Sequence, residues 1–199
     1  PVRYISNRSS GKTATAIASV FYEAGFDVTM VCGPMDVAAP GFSKVVNVRS
    51  AIEMHEAVLS RAKDYDVLVH CAAVADYRPA EVANEKIKDS RSQLHLDLIP
   101  NPNILRDSVA QKRKGQVVVG FALETEKPEL HAKEKLEKSG ADLLVLNMPV
   151  AKESGFGKDN VAFSLVEKGG AVPELQMASK RDLALGILRF TLLELEKTK

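Results

Sequence analysis

An open, mostly parallel α/β sheet covered by helices on both faces, in the three-layer Rossmann-like manner, is the fold class this sequence predicts. Three observations carry it. From Thr13 to Leu146 the pattern passes repeatedly from an amphipathic helix to a short apolar strand, the signature of crossover units on a parallel sheet. The run Val67-Leu68-Val69 is apolar throughout rather than alternating, as expected of a strand covered on both faces. The composition, 45% hydrophobic and 27% charged over 199 residues, supplies a sizeable core without disulfide staples and excludes disordered, collagenous and coiled-coil chains.

The elements follow in order. Ala14, Ile17, Val20, Phe21 and Ala24 recur at helical spacing after Ser9-Ser10-Gly11, and Gly25 stops that helix before a strand from Val28 to Val31. Gly33-Pro34 breaks the chain ahead of a second apolar run, Val45 to Val48. Ser50-Ala51-Ile52-Glu53 has capping-box spacing and opens a helix with Ile52, His55, Val58, Leu59 and Ala62 on one face. Asp66 to His70 is the next strand. From Arg78 to Pro102 the rhythm breaks: Pro79, the charged stretch Glu85 to Arg91 and the alternating Leu94, Leu96 and Leu98 read as an excursion over the edge of the sheet. Order resumes with a helix from about Asn103, a strand from Val117 to Phe121, a helix from Pro128 to Ser139 stopped by Gly140, and a strand from Leu143 to Leu146. Val161 to Val166 and Val172 to Leu175 flank Gly169-Gly170 as a C-terminal β-hairpin. Ser179 then caps a final helix bearing Leu183, Ile187, Phe190 and Leu193.

Charge and cysteine usage narrow the functional classes. Twenty-seven basic against 26 acidic side chains leave a net charge of +1, which argues against broad electrostatic adhesion to nucleic acid or an anionic membrane. Cys32 and Cys71 have neither metal-ligand nor C-x-x-C spacing, so a reducing compartment, the cytoplasm, is the expected location. No apolar run approaches the ~18 residues of a membrane span, and Pro1-Val2-Arg3-Tyr4 does not read as a signal peptide.

In an open parallel sheet, ligands bind beyond the carboxyl ends of the strands. The loops there carry Cys32-Gly33-Pro34, Cys71-Ala72-Ala73-Val74-Ala75-Asp76-Tyr77, Ala122-Leu123-Glu124-Thr125, and Asn147 with the later Gly155-Phe156-Gly157. Small residues let a flat ring or a phosphate approach the backbone, and Asp76 offers a carboxylate for a ribose hydroxyl or a cation; close helix packing uses the same small residues. Ser9-Ser10-Gly11-Lys12 at a helix start forms an anion cradle to which Arg3, Arg8 or Lys12 adds charge, or simply a capped helix. It is neither a G-x-x-x-x-G-K-[ST] loop nor a G-x-G-x-x-G fingerprint. Lys86 and Lys88 reach toward a polyphosphate or protect an exposed strand edge. His55, His70 and His131 have no serine or cysteine partner at motif spacing, so a hydrolase triad is unsupported.

Five blocks resemble a known family: Pro1 to Asn7 with Ser9-Ser10-Gly11-Lys12; Ala72-Ala73-Val74-Ala75-Asp76-Tyr77; Glu85-Lys86-Ile87-Lys88; Asn101-Pro102-Asn103-Ile104-Leu105; and Gly120-Phe121-Ala122 with Glu124-Thr125. Their order and spacing are similar to bacterial phosphopantothenoylcysteine synthetases, usually the C-terminal half of a bifunctional coenzyme A biosynthesis protein that follows a flavin-dependent decarboxylase. The resemblance implies a single ligase domain over residues 1–199, preceded in the family by a further strand and a glycine-rich turn, and a C-terminal hairpin used for homodimerisation. It implies magnesium-dependent ligation of phosphopantothenate to cysteine, with CTP as co-substrate and an acyl-cytidylate intermediate. By the same resemblance Lys86 supports attack at the triphosphate, Asn7 turns the intermediate over to cysteine, and Arg3 is a functional arginine beside it. Cys71 and Ala72 belong to the segment whose backbone reads cytosine; Asp76, Pro102, Asn103, Ile104 and Phe121 line the nucleotide site; Lys135, with Lys138 beside a Ser139 that replaces a second lysine, binds phosphate. The chain departs from the family pattern at Ala14, Pro100, Asn103, Ser139 and Met148. Two rival readings are a nicotinamide-dependent oxidoreductase, against which the missing glycine fingerprint counts, and a non-catalytic nucleotide-binding regulatory module.

Overall fold

A computed structural model of the chain describes residues 5–83, 85, 95–123, 128–148 and 159–198. The first helix, α1 (Lys12–Glu23), starts from Gly11, whose φ of 79° is open to glycine at little cost, and a Cβ there would lie 2.7 Å from Met35 Sδ. Its buried face is Ile17, Ala18, Val20 and Phe21; Ala24, expected on that face, is the exposed C-cap. Strands β1 (Thr29–Cys32) and β2 (Lys44–Asn47) pair in parallel, each near the position its apolar run predicts.

Helix α2 (Ala51–Leu59) is capped by Ser50 Oγ, which accepts from Glu53 N at 3.1 Å. The reciprocal half of the capping box is displaced by one residue, because Glu53 Oε2 accepts from Arg49 N at 2.9 Å. The face expected for this helix is also corrected: it ends at Leu59, Ala62 lies in a separate 3-10 turn (Ala62–Asp64), and the buried side chain is Met54, which joins Val48 and Ile104.

Strands β3 (Val67–His70), β6 (Val117–Leu123) and β7 (Leu143–Met148) pair in parallel, and β8 (Asn160–Glu167) and β9 (Gln176–Ser179) extend that sheet antiparallel, in the order β3-β6-β7-β8-β9. The central sheet is thus mostly parallel around the crevice, as predicted, with the hairpin at its far edge. Two details differ. The pair β1-β2 forms its own sheet instead of continuing the central one. The second hairpin strand begins at Gln176 rather than Val172: Pro173 has no N–H for a ladder, and its carbonyl accepts from Ser164 Oγ at 2.8 Å.

Between β3 and β6, the excursion contains an antiparallel ribbon, β4 (Tyr77–Pro79) with β5 (Leu98–Pro100), which the irregular reading did not include. Leu94 and most of the charged stretch Glu85 to Arg91 lie outside the described residues. The ribbon leads to α3 (Ile104–Ala110), capped by Asn103 Oδ1, which accepts from Arg106 N at 3.0 Å. Helix α4 (Pro128–Ser139) has the predicted bounds, and α5 (Lys180–Glu196) carries the full Ser179–Asp182 capping box. Leu193, expected on the buried face of α5, is 60% exposed, because that face ends with Phe190 and Thr191.

Three layers result. On one face α1 and α5 pack Val20, Phe21, Leu183 and Ile187 against Val117, Val119, Leu143 and Val145. On the other, α4 sets Ala132 and Leu136 on Leu144, Leu146 and Val166, with Leu105 and Val109 of α3 at the margin. The close approach of α3 depends on Gly120, where a Cβ would lie 2.6 Å from Leu105 Cδ2.

Candidate functional site

The carboxyl ends of β1, β3 and β6 open into one cleft of about 2270 Å³, floored by the strands and closed at its sides by α2, α3, the ribbon and α4. It exceeds the roughly 300–1,000 Å³ of ordinary ligand pockets. Its lining also includes Thr29 and Val31 of β1 and Val67 and Val69 of β3.

The described site residues predicted from sequence all line this cleft. Asn7 sits on the chain entering α1 and donates from Nδ2 to Val74 O at 3.3 Å, tying the N-terminal segment to the loop after β3. That loop carries Cys71, the exposed Ala72 and the exposed Asp76. Opposite it stand Pro102, the Asn103 cap and the buried Ile104, whose side chain packs with Met54 and Val48. Phe121 is half-buried at the end of β6, and Lys135 and Lys138 are exposed on α4. Lys138 Nζ pairs with Glu134 Oε2 at 3.0 Å, one turn back. Arg3, Lys86 and Lys88, with Glu124, Thr125 and the Gly155-Phe156-Gly157 turn, lie outside the described residues.

The expected anion cradle at the start of α1 differs in aim. Lys12 Nζ pairs with Asp159 Oδ1 at 2.9 Å, in a separate shallow hollow with Ser179, Lys180 and Arg181. Ser9 and Asn7 of the same segment line the main cleft.

The electrostatics favour binding and positioning over nucleophilic chemistry by a thiol. Burial pushes the Cys71 thiol up to about 11 and raises Cys32 as well, so both are protonated packing groups at neutral pH. Both cysteines are free. Burial also pulls His70 down to about 4, which leaves a neutral imidazole at the end of β3, its Nε2 buried without a hydrogen-bond partner. Among the described residues no group of three or more His, Cys, Asp or Glu side chains could hold a metal ion. No helix among them is long and apolar enough to cross a membrane.

Sequence reasoning missed two residues of the site. Arg78 and Asn101, both half-buried at the cleft, hold its loops together through hydrogen bonds. The turn dipeptide Asn101-Pro102 was a visible signal, but its partners depend on how the ribbon folds back.

Comparison with known proteins places this geometry in context. Residues 1–193 match the family described as DNA/pantothenate metabolism flavoprotein C-terminal domain. The coenzyme A biosynthesis bifunctional protein CoaBC of Haemophilus influenzae is 40% identical over 198 residues, which is 100% of this chain and 49% of that protein. The Vibrio vulnificus protein of the same name is 39% identical over 191 residues, 95% of this chain and 47% of its own length. The chain therefore spans about half the length of the curated relatives it matches. A crystal structure of the C-terminal domain of CoaBC superposes with a TM-score of 0.82 at 36% identity, over 99% of this chain and 90% of that one.

Proposed function

The chain belongs to the DNA/pantothenate metabolism flavoprotein C-terminal domain family, and from that premise we propose that it joins phosphopantothenate to cysteine in coenzyme A biosynthesis, in the cytoplasm, with CTP as the activating co-substrate. The observation that carries the reading is the meeting, in one cleft, of Asn7, the Ala72–Asp76 loop and the capped start of α3.

The chemistry suits such a cleft. A carboxylate is a poor acyl donor at neutral pH. Its oxygen attacks the α-phosphorus of CTP, the bond to the β-phosphate breaks, and pyrophosphate leaves with that electron pair. The amine of cysteine then attacks the acyl carbon, the anhydride bond breaks, CMP leaves and the amine loses a proton as the amide forms. Both steps are displacements, so the protein's task is alignment and charge stabilisation. Lys86 and Lys135 neutralise the triphosphate and the pyrophosphate that leaves. Arg3 adds charge for the same intermediate, and the amide of Asn7 holds the acyl-cytidylate for attack by cysteine. Backbone groups of Cys71 and Ala72 read the small pyrimidine; Phe121, Pro102 and Ile104 exclude water around it, and Asn103 and Lys138 complete the rim.

Magnesium characteristically takes only one or two protein carboxylates and completes its shell with water and substrate phosphates. An exposed Asp76 at the cleft fits that demand, since it offers a hard oxygen donor without a ready-made cage. When bound, the ion supplies charge neutralisation on the triphosphate. Two copies of the chain form the working unit, paired through the β8-β9 end, and a flavin-dependent decarboxylase acts next in sequence on the product.

The test is direct. The protein is incubated with phosphopantothenate, magnesium and CTP, ATP or NAD, with and without cysteine, while mass spectrometry follows pyrophosphate and acyl-nucleotide. Pyrophosphate from CTP and amide on adding cysteine are expected, with Asn7→Ala stalling at the acyl-cytidylate. No pyrophosphate from any nucleotide would overturn the proposal.

A further inference from the structure

We propose that Asn101 is a positioning residue that sets the nucleotide preference of the cleft, by locking the loop after β3 to the start of α3; this rests on the reading of the cleft as a nucleotide site. Three hydrogen bonds meet on this residue. Its side-chain amide donates from Nδ2 to Ala75 O at 2.8 Å, and its backbone N–H donates to the next carbonyl, Asp76 O, also at 2.8 Å. Its Oδ1 accepts from Arg78 Nη1 at 3.3 Å, and the same guanidinium nitrogen donates to Pro100 O at 2.5 Å.

The arrangement extends the ribbon by one residue beyond its ladder, in which Tyr77 stands opposite Pro100. It also fixes orientation. In a trans peptide the N–H points opposite to the C=O of the same unit, so holding Ala75 O and Asp76 O dictates where the N–H groups of Asp76 and Tyr77 point. Cys71 and Ala72, whose main-chain groups face the base in the proposed reading, begin this same loop, and anchoring its far end at Ala75 and Asp76 limits the conformations it samples before the ligand arrives, because ordering it afterwards subtracts from affinity. The other end of the clamp is stiff as well. Pro102 restricts Asn101 to extended conformations, and Asn103 caps α3 immediately afterwards. A shift of Asn101 therefore displaces both walls of the cleft together.

An amide is required for this role. Aspartate keeps the size and the acceptor for Arg78 but loses the donor, and it turns an oxygen toward Ala75 O. Alanine removes both side-chain bonds and leaves the backbone bond to Asp76.

The experiment compares Asn101→Asp and Asn101→Ala with the unaltered protein in two measurements. The first is backbone amide exchange over residues 72–77, read by mass spectrometry without any ligand. Exchange about tenfold faster there, with β6 and β7 unchanged, is expected. The second is the steady-state rate of pyrophosphate release with CTP and with ATP. KM for CTP should rise about tenfold with kcat and KM for phosphopantothenate retained, and the preference for CTP over ATP should fall by a similar factor. A merely structural role lowers the active fraction and hence kcat for both nucleotides alike. That result, or unchanged exchange in the loop, would overturn the proposal. If the unaltered protein releases no pyrophosphate from CTP, the ligase reading fails, and the exchange measurement still decides whether Asn101 holds the loop. Should Asn101→Ala not fold, Asn101→Asp carries both measurements.

Discussion

Replacing His70 by leucine should make the protein markedly less sensitive to mild acid. His70 closes β3 at the floor of the cleft, with Nε2 buried and unpartnered. Burial holds it neutral, from an ordinary value of 6.5 down to about 4. In the unfolded chain it gains a proton once the pH falls below 6.5; in the folded protein it does so only near 4. Between these values the unfolded state binds more protons, so stability is complete above 6.5 and is lost progressively as the pH falls toward 4. Linkage with those two values gives a loss of about 2 kcal/mol between about pH 7 and about pH 5. The carboxylates with lowered values, Glu23, Asp107, Asp159 and Asp182, titrate below this window and do not confound it. Leucine is similar in volume and does not titrate. Urea unfolding at the two pH values should therefore show about 2 kcal/mol of acid loss in the parent protein and only a small residue of it in His70→Leu. Equal losses in both proteins would refute the argument.

Three further outcomes are expected. Gly11→Ala forces a side chain into the left-handed region and a Cβ against Met35 Sδ, so thermal unfolding should show a loss of about 2 kcal/mol, or roughly 6 °C in Tm. Asp142→Asn removes the carboxylate that accepts from Lys112 Nζ at 2.5 and 2.7 Å and from Val118 N at 2.7 Å; urea titration should report a loss of about 2 kcal/mol, since the half-buried ammonium loses its counter-charge. Lys135→Ala, an exposed position on α4, should leave Tm unchanged while raising KM for CTP about threefold to tenfold in the pyrophosphate assay.

The segments legible in sequence were those whose signal is local. The Ser179 cap, the Gly140 stop and the helix from Pro128 to Ser139 depend on neighbouring residues alone, and each has its expected place. Met54 escaped because several apolar residues of α2 compete for burial, and the choice among them is made by β2, α3 and Val74 folding onto that helix. The ribbon escaped for a related reason: Tyr77–Pro79 and Leu98–Pro100 are too short to show a period, and they become strands only by finding each other across the excursion. Within the cleft, residue types and loops were legible, but Asn101 was not, because its importance lies in two carbonyls from another loop. Nor could sequence give the neutrality of His70, which is a property of its surroundings.

Helix α1 touches both β1-β2 and the five-stranded sheet, and so links the two sides of the cleft. Helix α1 is wedged between the two: Ile17, Val20 and Phe21 grip the central sheet, while Ala18 packs with Met30 and Cys32 of β1. Tyr65 Oη, donating to Thr29 Oγ1 at 2.7 Å, adds a tether at the closed end. One helix thus serves both walls of the cleft, that of Gly33 and Pro34 and that of Ala72 and Asp76, so a change in the packing of Ile17, Ala18, Val20 or Phe21 is felt on both sides of the bound guest.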